Sequence, residues 1–189
     1  MNNINIYPPV RDIRTERLRL RRWEATDAQD LIALAGQPHI EHWLADWREY
    51  DKHAHGWIKW VHRNYATNDP LQEFISWAVT LPDTGALIGQ IAIGPFDEAG
   101  EQEVAVGYFM DARHTGRGYM TEAVCAVAEY AAKAYGLDHL IATVQPENLP
   151  SCRVVEKAGF TFIKIIHFQD TDMPEVAAFR YYRLGLGGV

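Results

Sequence analysis

Arg113-His114-Thr115-Gly116-Arg117-Gly118-Tyr119 stands between two contrasting runs. Before it lies a strand-like segment, Glu103-Val104-Ala105-Val106-Gly107-Tyr108-Phe109-Met110; after it an alanine-rich helical segment runs from Tyr119 to about Tyr135. Two glycines let the main chain turn tightly and approach a ligand with no Cβ in the way. The first N–H groups of the following helix have no internal partner and lie at the positive end of its dipole. Strand, glycine turn and helix start together predict a cradle for a diphosphate. Arg113 and Arg117 add positive charge beside it.

The spacing narrows the choice of ligand. A dinucleotide fold calls for G-x-G-x-x-G after the first strand, with an acidic residue about 20 positions further on. Only Gly116-Arg117-Gly118 is present, past the middle of the chain, with no third glycine at the required step. The G-x-x-x-x-G-K-[ST] loop of nucleotide hydrolases is also absent. R-x-x-G-x-G does fit, and it resembles the acetyl-coenzyme A signature of the GNAT N-acetyltransferase superfamily. Three further segments follow the same pattern. Val106-Gly107-Tyr108 is similar to the I-G-Y of the family's central strand. Asn148-Leu149-Pro150-Ser151-Cys152-Arg153-Val154-Val155-Glu156-Lys157-Ala158-Gly159-Phe160 resembles the N-x-x-S-x-R element that closes the coenzyme site. The opening Thr15-Glu16-Arg17-Leu18-Arg19-Leu20-Arg21, followed by Asp27-Ala28, resembles the RimJ/RimL-type branch, which includes the ribosomal-protein N-terminal acetyltransferases. The resemblance covers nearly the whole chain and is weakest from 37 to 70.

The resemblance implies a mixed α/β (α+β) GNAT fold: a mostly antiparallel sheet, splayed central strands and flanking helices. Acetyl would pass from acetyl-CoA to a primary amine by direct attack in a ternary complex. Main-chain groups of Val106, Tyr108 and Met110 would hold the pantetheine arm, and one N–H there would face the developing oxyanion. The N–H groups of residues 114–119 (His114, Thr115, Gly116, Arg117, Gly118, Tyr119) would take the diphosphate. Phe109, Arg113, Met120 and Arg153 complete the implied cofactor set, and Asn148 would touch the pantetheine amides. Ser151 matches the hydroxyl near the coenzyme sulfur and would supply the acid.

The base is less direct. Relatives often carry a glutamate just before I-G-Y, where this chain has Ala105. Glu103 lies two residues earlier on the same strand face and would act through a water; the competing reading is a solvated carboxylate at a strand start beside Glu101. Ser151 and Asn148 also read as ordinary helix-start residues, and Tyr108 as a core aromatic. Arg153 and Lys157 stand i, i+4 on one helix and face either the coenzyme phosphates or solvent.

The acceptor class implied first is the α-amine of a peptide or protein N-terminus. Small amines (polyamines, amino acids, aminoglycosides) are the rival within the enzyme class, and a non-catalytic acyl-CoA sensor is the rival outside it. A homodimer is common among similar proteins.

Composition agrees with one domain spanning 1–189. A hydrophobic content of 48% and a mean hydropathy of −0.24 suit a globular chain with a substantial core. No apolar run approaches the roughly 18–20 residues of a membrane span. Met1-Asn2-Asn3-Ile4-Asn5 lacks the features of a signal peptide. Cys125 and Cys152 do not make a disulfide framework, so reduced thiols and a cytoplasmic setting are expected. A formal charge of −7 argues against nucleic-acid binding and suits a cationic acceptor.

Alternation predicts an edge strand over 17–22 and a helix from Thr26 or Asp27 to Ala35, stopped by Gly36 and Pro38. Strands are expected at 74–81, 86–93, 103–110, 140–144, 160–168 and 179–184, the first two as a hairpin. Helices are expected at 119–135, with Gly136 as left-handed stop, and at about 150–158. His53, His55 and His62, among Trp47, Trp57 and Trp60, lack a closing ligand set for a metal; they read as an acceptor surface or as a packed helix pair. Cys125 is assigned to the core side of the long helix, and Cys152 has no histidine partner for nucleophilic work.

Overall fold

The computed structural model describes residues 7–44, 47, 53–98, 100, 102–170 and 175–187. Met1 to Asn5 and Glu101, used above, lie outside these. The strands are β1 (Ile13–Arg14), β2 (Arg19–Arg21), β3 (Ile75–Thr80), β4 (Leu87–Phe96), β5 (Glu103–Met110), β6 (His139–Val144), β7 (Thr161–Phe168) and β8 (Ala177–Gly185). The helices are α1 (Ala28–Ala35), α2 (Pro38–Trp43), α3 (Ala54–Thr67), α4 (Tyr119–Tyr135) and α5 (Leu149–Lys157). They flank one sheet of order β1-β2-β3-β4-β5-β6-β8-β7. Every neighbouring pair is antiparallel except β5 and β6, which are parallel. This is the mixed, mostly antiparallel architecture expected.

Local sequence explains most boundaries. Along α4 the side chains Met120, Ala123, Val124, Val127, Ala128, Ala131 and Tyr135 are buried, a three-four spacing that lays one stripe on the sheet. Gly118 precedes the helix and Gly136 ends it, both in the left-handed region. Cys125 corrects an expectation: it lies one step past the buried Val124 and is exposed. The 17–22 segment is also corrected, because β2 is not an edge; the two-residue β1 pairs along its outer side. At Pro38 the chain does more than stop a helix. Pro38 sits in the first turn of α2, where a missing N–H costs nothing.

The tryptophan- and histidine-rich region packs inward. Trp23 donates its indole N–H to Ser76 Oγ at 3.1 Å, and its main-chain N–H to Tyr65 Oη at 3.1 Å. His62 Nε2 lies 2.7 Å from Trp23 O. Trp57 meets Trp23 and Trp47 edge-on, and Trp47 meets Phe109 of β5 at 4.5 Å between ring centroids. Buried indoles with their N–H satisfied are a packing solution, so α3 is a core helix with a wet outer face. The opposite rim of the sheet contrasts with this: β7 leaves Phe162, Ile163 and Ile165 44–52% exposed.

Candidate active site

The site follows from how β5 treats its two neighbours. Toward β4 it is laddered along its whole length, from Glu103 opposite Phe96 to Met110 opposite Gly89. Toward β6 the register holds at Ala105 and Ile141 alone. Asp111 N–H bonds Ile88 O at 2.9 Å, which makes that a hydrogen-bonded pair. By the alternation of antiparallel ladders, Phe109 and Gly107 also bond toward β4. The N–H and C=O groups of Val106, Tyr108 and Met110 therefore face the gap. Two of them are already engaged: the Val106 N–H belongs to the parallel pairing of Ala105 with Ile141, and His39 Nε2 lies 2.9 Å from Met110 O. Next to it, Gln37 Oε1 accepts the Ala112 N–H at 2.9 Å. Neither contact had a local signal in the sequence.

A cavity of about 730 Å³ occupies this gap. One wall is β5 from Val106 to Met110, and facing it are Ala142 to Gln145 after the parallel register is lost. The glycine corner closes one end with His114, Thr115, Gly116, Gly118, Tyr119 and Met120. Helix α5 contributes Ser151, Arg153 and Lys157, with Asn148 just before it, and α2 contributes His39, Ile40 and Trp43.

The corner is built as expected but shifted by two residues. Gly116 and Gly118 have φ of +73° and +79°, a region that penalises a Cβ. The His114 N–H bonds Asp111 O at 2.9 Å and the Thr115 N–H bonds Ala112 O at 3.4 Å, closing a short 3-10 turn. The first α4 bond runs from Glu122 N–H to Gly118 O. Main-chain donors from Gly116 to Thr121 are thus the ones left for an anion, rather than those of 114–119.

The flanking arginines differ from the sequence reading. Arg113 is 81% exposed and pairs with Asp111 at 2.7 Å, and neither it nor the Arg117 side chain lines the cavity. The Arg113 bonds hold the Asp111 carboxyl well below the usual carboxylate range. The cations that do line the cavity are Arg153 and Lys157, which stand i, i+4 on α5.

Tyr108 and Ser151 meet across the gap. The Tyr108 hydroxyl lies 2.9 Å from Ser151 Oγ and donates toward Ser151 O at 3.2 Å. Burial pushes Tyr108 well above the usual phenol range, so its proton stays on. Asn148 caps α5, its Oδ1 accepting the Ser151 N–H at 3.2 Å.

Glu103 is not the solvated carboxylate of the competing reading. It is buried, outside the cavity lining, and its carboxylate accepts the Tyr181 hydroxyl at 2.6 and 2.7 Å. His139 Nε2 stands 3.2 Å away, and Arg183 approaches the other ring nitrogen at 3.1 Å. The group sits at the closed end of the gap, two residues before Ala105. Asp170, at the end of β7, is the one carboxylate lining the cavity among the described residues. His53, His55 and His62 do not line it, and no metal-binding cluster occurs among the described residues.

Comparison with known proteins places this arrangement. A family model described as an acetyltransferase (GNAT) domain matches residues 17–161. YnaD of Bacillus subtilis (strain 168), named as an N-acetyltransferase, is 30% identical over 147 residues, covering 78% of this chain and 81% of that protein. A GNAT-family acetyltransferase from Bacillus anthracis superposes with a TM-score of 0.76 at 23% identity, over 94% of this chain and 99% of that one. RimJ from Mycobacterium smegmatis, solved in complex with CoA-disulfide, gives 0.73 at 22% identity, over 89% and 81%.

Proposed function

The chain belongs to the GNAT acetyltransferase family, and from that premise we propose that it moves acetyl from acetyl-CoA to a primary amine by direct attack. The observation that carries this reading is the one-sided opening of β5. Its unpaired main-chain edge, the donors of Gly116 to Thr121 and the Tyr108–Ser151 pair all border one cavity. RimJ, which shares this fold, binds a CoA derivative.

Acetyl-CoA brings an activated acyl group and a good leaving group; the rest falls to the protein. The Val106 C=O, both main-chain groups of Tyr108 and the N–H of Met110 hold the pantetheine arm, with Phe109 behind them against Trp47. The Gly116–Thr121 donors take the diphosphate, and Arg153 and Lys157 supply its counter-charge from α5. A gap-facing N–H polarises the thioester carbonyl, a contact worth about 3–4 kcal/mol where a single such donor has been removed in other enzymes. As the N–C bond forms and the C–S bond breaks, Ser151 Oγ passes its proton to the departing thiolate and takes one back from solvent. Tyr108 holds that hydroxyl in place. Glu103 draws the amine proton through water, its carboxylate fixed by Tyr181 and His139.

The acceptor class favoured is an N-terminal α-amine, on the likeness to RimJ; small amines compete for the same role. The test is an acceptor screen with purified protein, following thiol release from acetyl-CoA over peptides and small amines, with products identified by mass spectrometry. Turnover on peptides alone supports the N-terminal reading. Tight coenzyme binding with no turnover on any amine supports a sensor, an alternative favoured by Ala105 and by the engaged Glu103 carboxylate.

A further inference from the structure

The opening Thr15-Glu16-Arg17 has no part in the chemistry above, yet it packs onto the glycine corner about a hundred residues away. The Arg17 guanidinium reaches three successive features there. Nε and Nη2 bond Glu122 Oε2 at 2.7 and 2.6 Å, Nη1 donates to the Arg117 carbonyl at 3.0 Å, and the group lies 4.8 Å from the centre of the Tyr119 ring. The other Glu122 oxygen accepts the Arg17 main-chain N–H at 3.0 Å and the Thr15 hydroxyl at 2.5 Å. Arg17 itself does not line the cavity; Gly118 and Tyr119 do.

Two physical consequences follow. In a trans peptide the C=O of one residue and the N–H of the next point in opposite directions. A bond that pulls the Arg117 carbonyl toward Arg17 turns the Gly118 N–H the other way. Glu122, meanwhile, lies in the first turn of α4, where a carboxylate suits the helix dipole but opposes any second anion arriving there. Arg17 cancels that charge.

We infer that Arg17 is a positioning residue for the diphosphate: it fixes the Arg117–Gly118 peptide with its amide toward the ligand and neutralises Glu122 beside it. This rests on the corner being the coenzyme's diphosphate site. The experiment compares the affinity of CoA, by titration calorimetry, with that of pantetheine, which lacks the diphosphate, by NMR titration.

Arg17→Gln should weaken CoA by roughly tenfold to a hundredfold, the loss expected for a charge-assisted bond, while pantetheine binds as to wild type. Arg17→Lys keeps a cation opposite Glu122 but lacks the planar fork that reaches both partners, and should fall between. Adding Glu122→Gln to Arg17→Gln should restore part of the CoA affinity, because no charge remains to oppose the ligand. Equal weakening of both ligands, unchanged CoA affinity, or no recovery in the double variant overturns the inference. A wild-type protein that binds no CoA overturns both this and the reading of the site. Wild-type binding with indifferent Arg17 variants overturns this inference alone.

Discussion

Strand β5 has two edges built from the same eight residues, and they behave in opposite ways. The edge facing β4 is closed from end to end, while the edge facing β6 keeps one register pair and then opens. The closed side is crowded: a Cβ on Gly89 would lie 2.6 Å from the Phe109 carbonyl oxygen. The cavity-lining face has room, and a Cβ on Gly107 would meet nothing within 4 Å. The lesson is that the cavity needs no missing residues or special composition. It comes from two parallel strands that share one end and diverge, leaving backbone groups that a ligand must satisfy.

That contrast can be tested most severely where the gap narrows. Glu103→Gln should lower kcat/KM by about 10²-fold or more if the carboxylate removes the amine proton, with coenzyme affinity kept. An unchanged kcat/KM assigns Glu103 to holding β8 against β5 and nothing further.

Gly89→Ala attacks the closed edge. The clash is with backbone, so the variant should lose roughly 1–3 kcal/mol, read as a lower Tm and denaturation midpoint. CoA affinity per folded molecule should hold.

Acid sharpens the comparison at the corner. The Asp111 carboxyl is held low by the Arg113 side chain, and Glu122 is also lowered: burial opposes its charge, but bonds from Thr15 and Arg17 outweigh that. A carboxyl lowered in the folded state stabilises above its unfolded value, near pH 4, and loses that contribution as pH falls. Wild type should therefore lose Tm between about pH 5 and 2.5. Asp111→Asn should lose less over that window, and at neutral pH should cost about 1 kcal/mol or less, since Arg113 is exposed to water.

Gly107→Ala is the mildest. Stability should stay within about 0.5 kcal/mol, while KM for coenzyme or acceptor shifts because the new methyl enters the cavity. A loss of stability as large as that of Gly89→Ala would erase the distinction between the crowded β4 ladder and the open cavity face.

The sequence carried the local parts of this well. Strand β5 and helix α4 fall on the residues expected, 103–110 and 119–135, because alternation, the glycines and a three-four apolar stripe are all short-range signals. What it hid was long-range. The bonds His39–Met110, Gln37–Ala112 and Arg17–Arg117 span 71, 75 and 100 residues, and no periodicity records them. Glu103 read either as a base acting through water or as a solvated carboxylate, and neither included its partners, Tyr181 and His139, because they arrive from two later strands. Cys125 read as core because its neighbour Val124 is. For Arg113 the charge was visible, but not that Asp111 would claim it.

The sheet's outer rims are as unequal as the two edges of β5. One rim is a two-residue β1, too short to template another chain; the other is the eight-residue β7, with Phe162, Ile163 and Ile165 outward. Concentrated samples will therefore stick through β7 first. A lysine at Ile163 or Ile165 would keep them dispersed without touching the cavity, which neither residue lines, and such a variant is the practical starting point for crystallisation and long titrations.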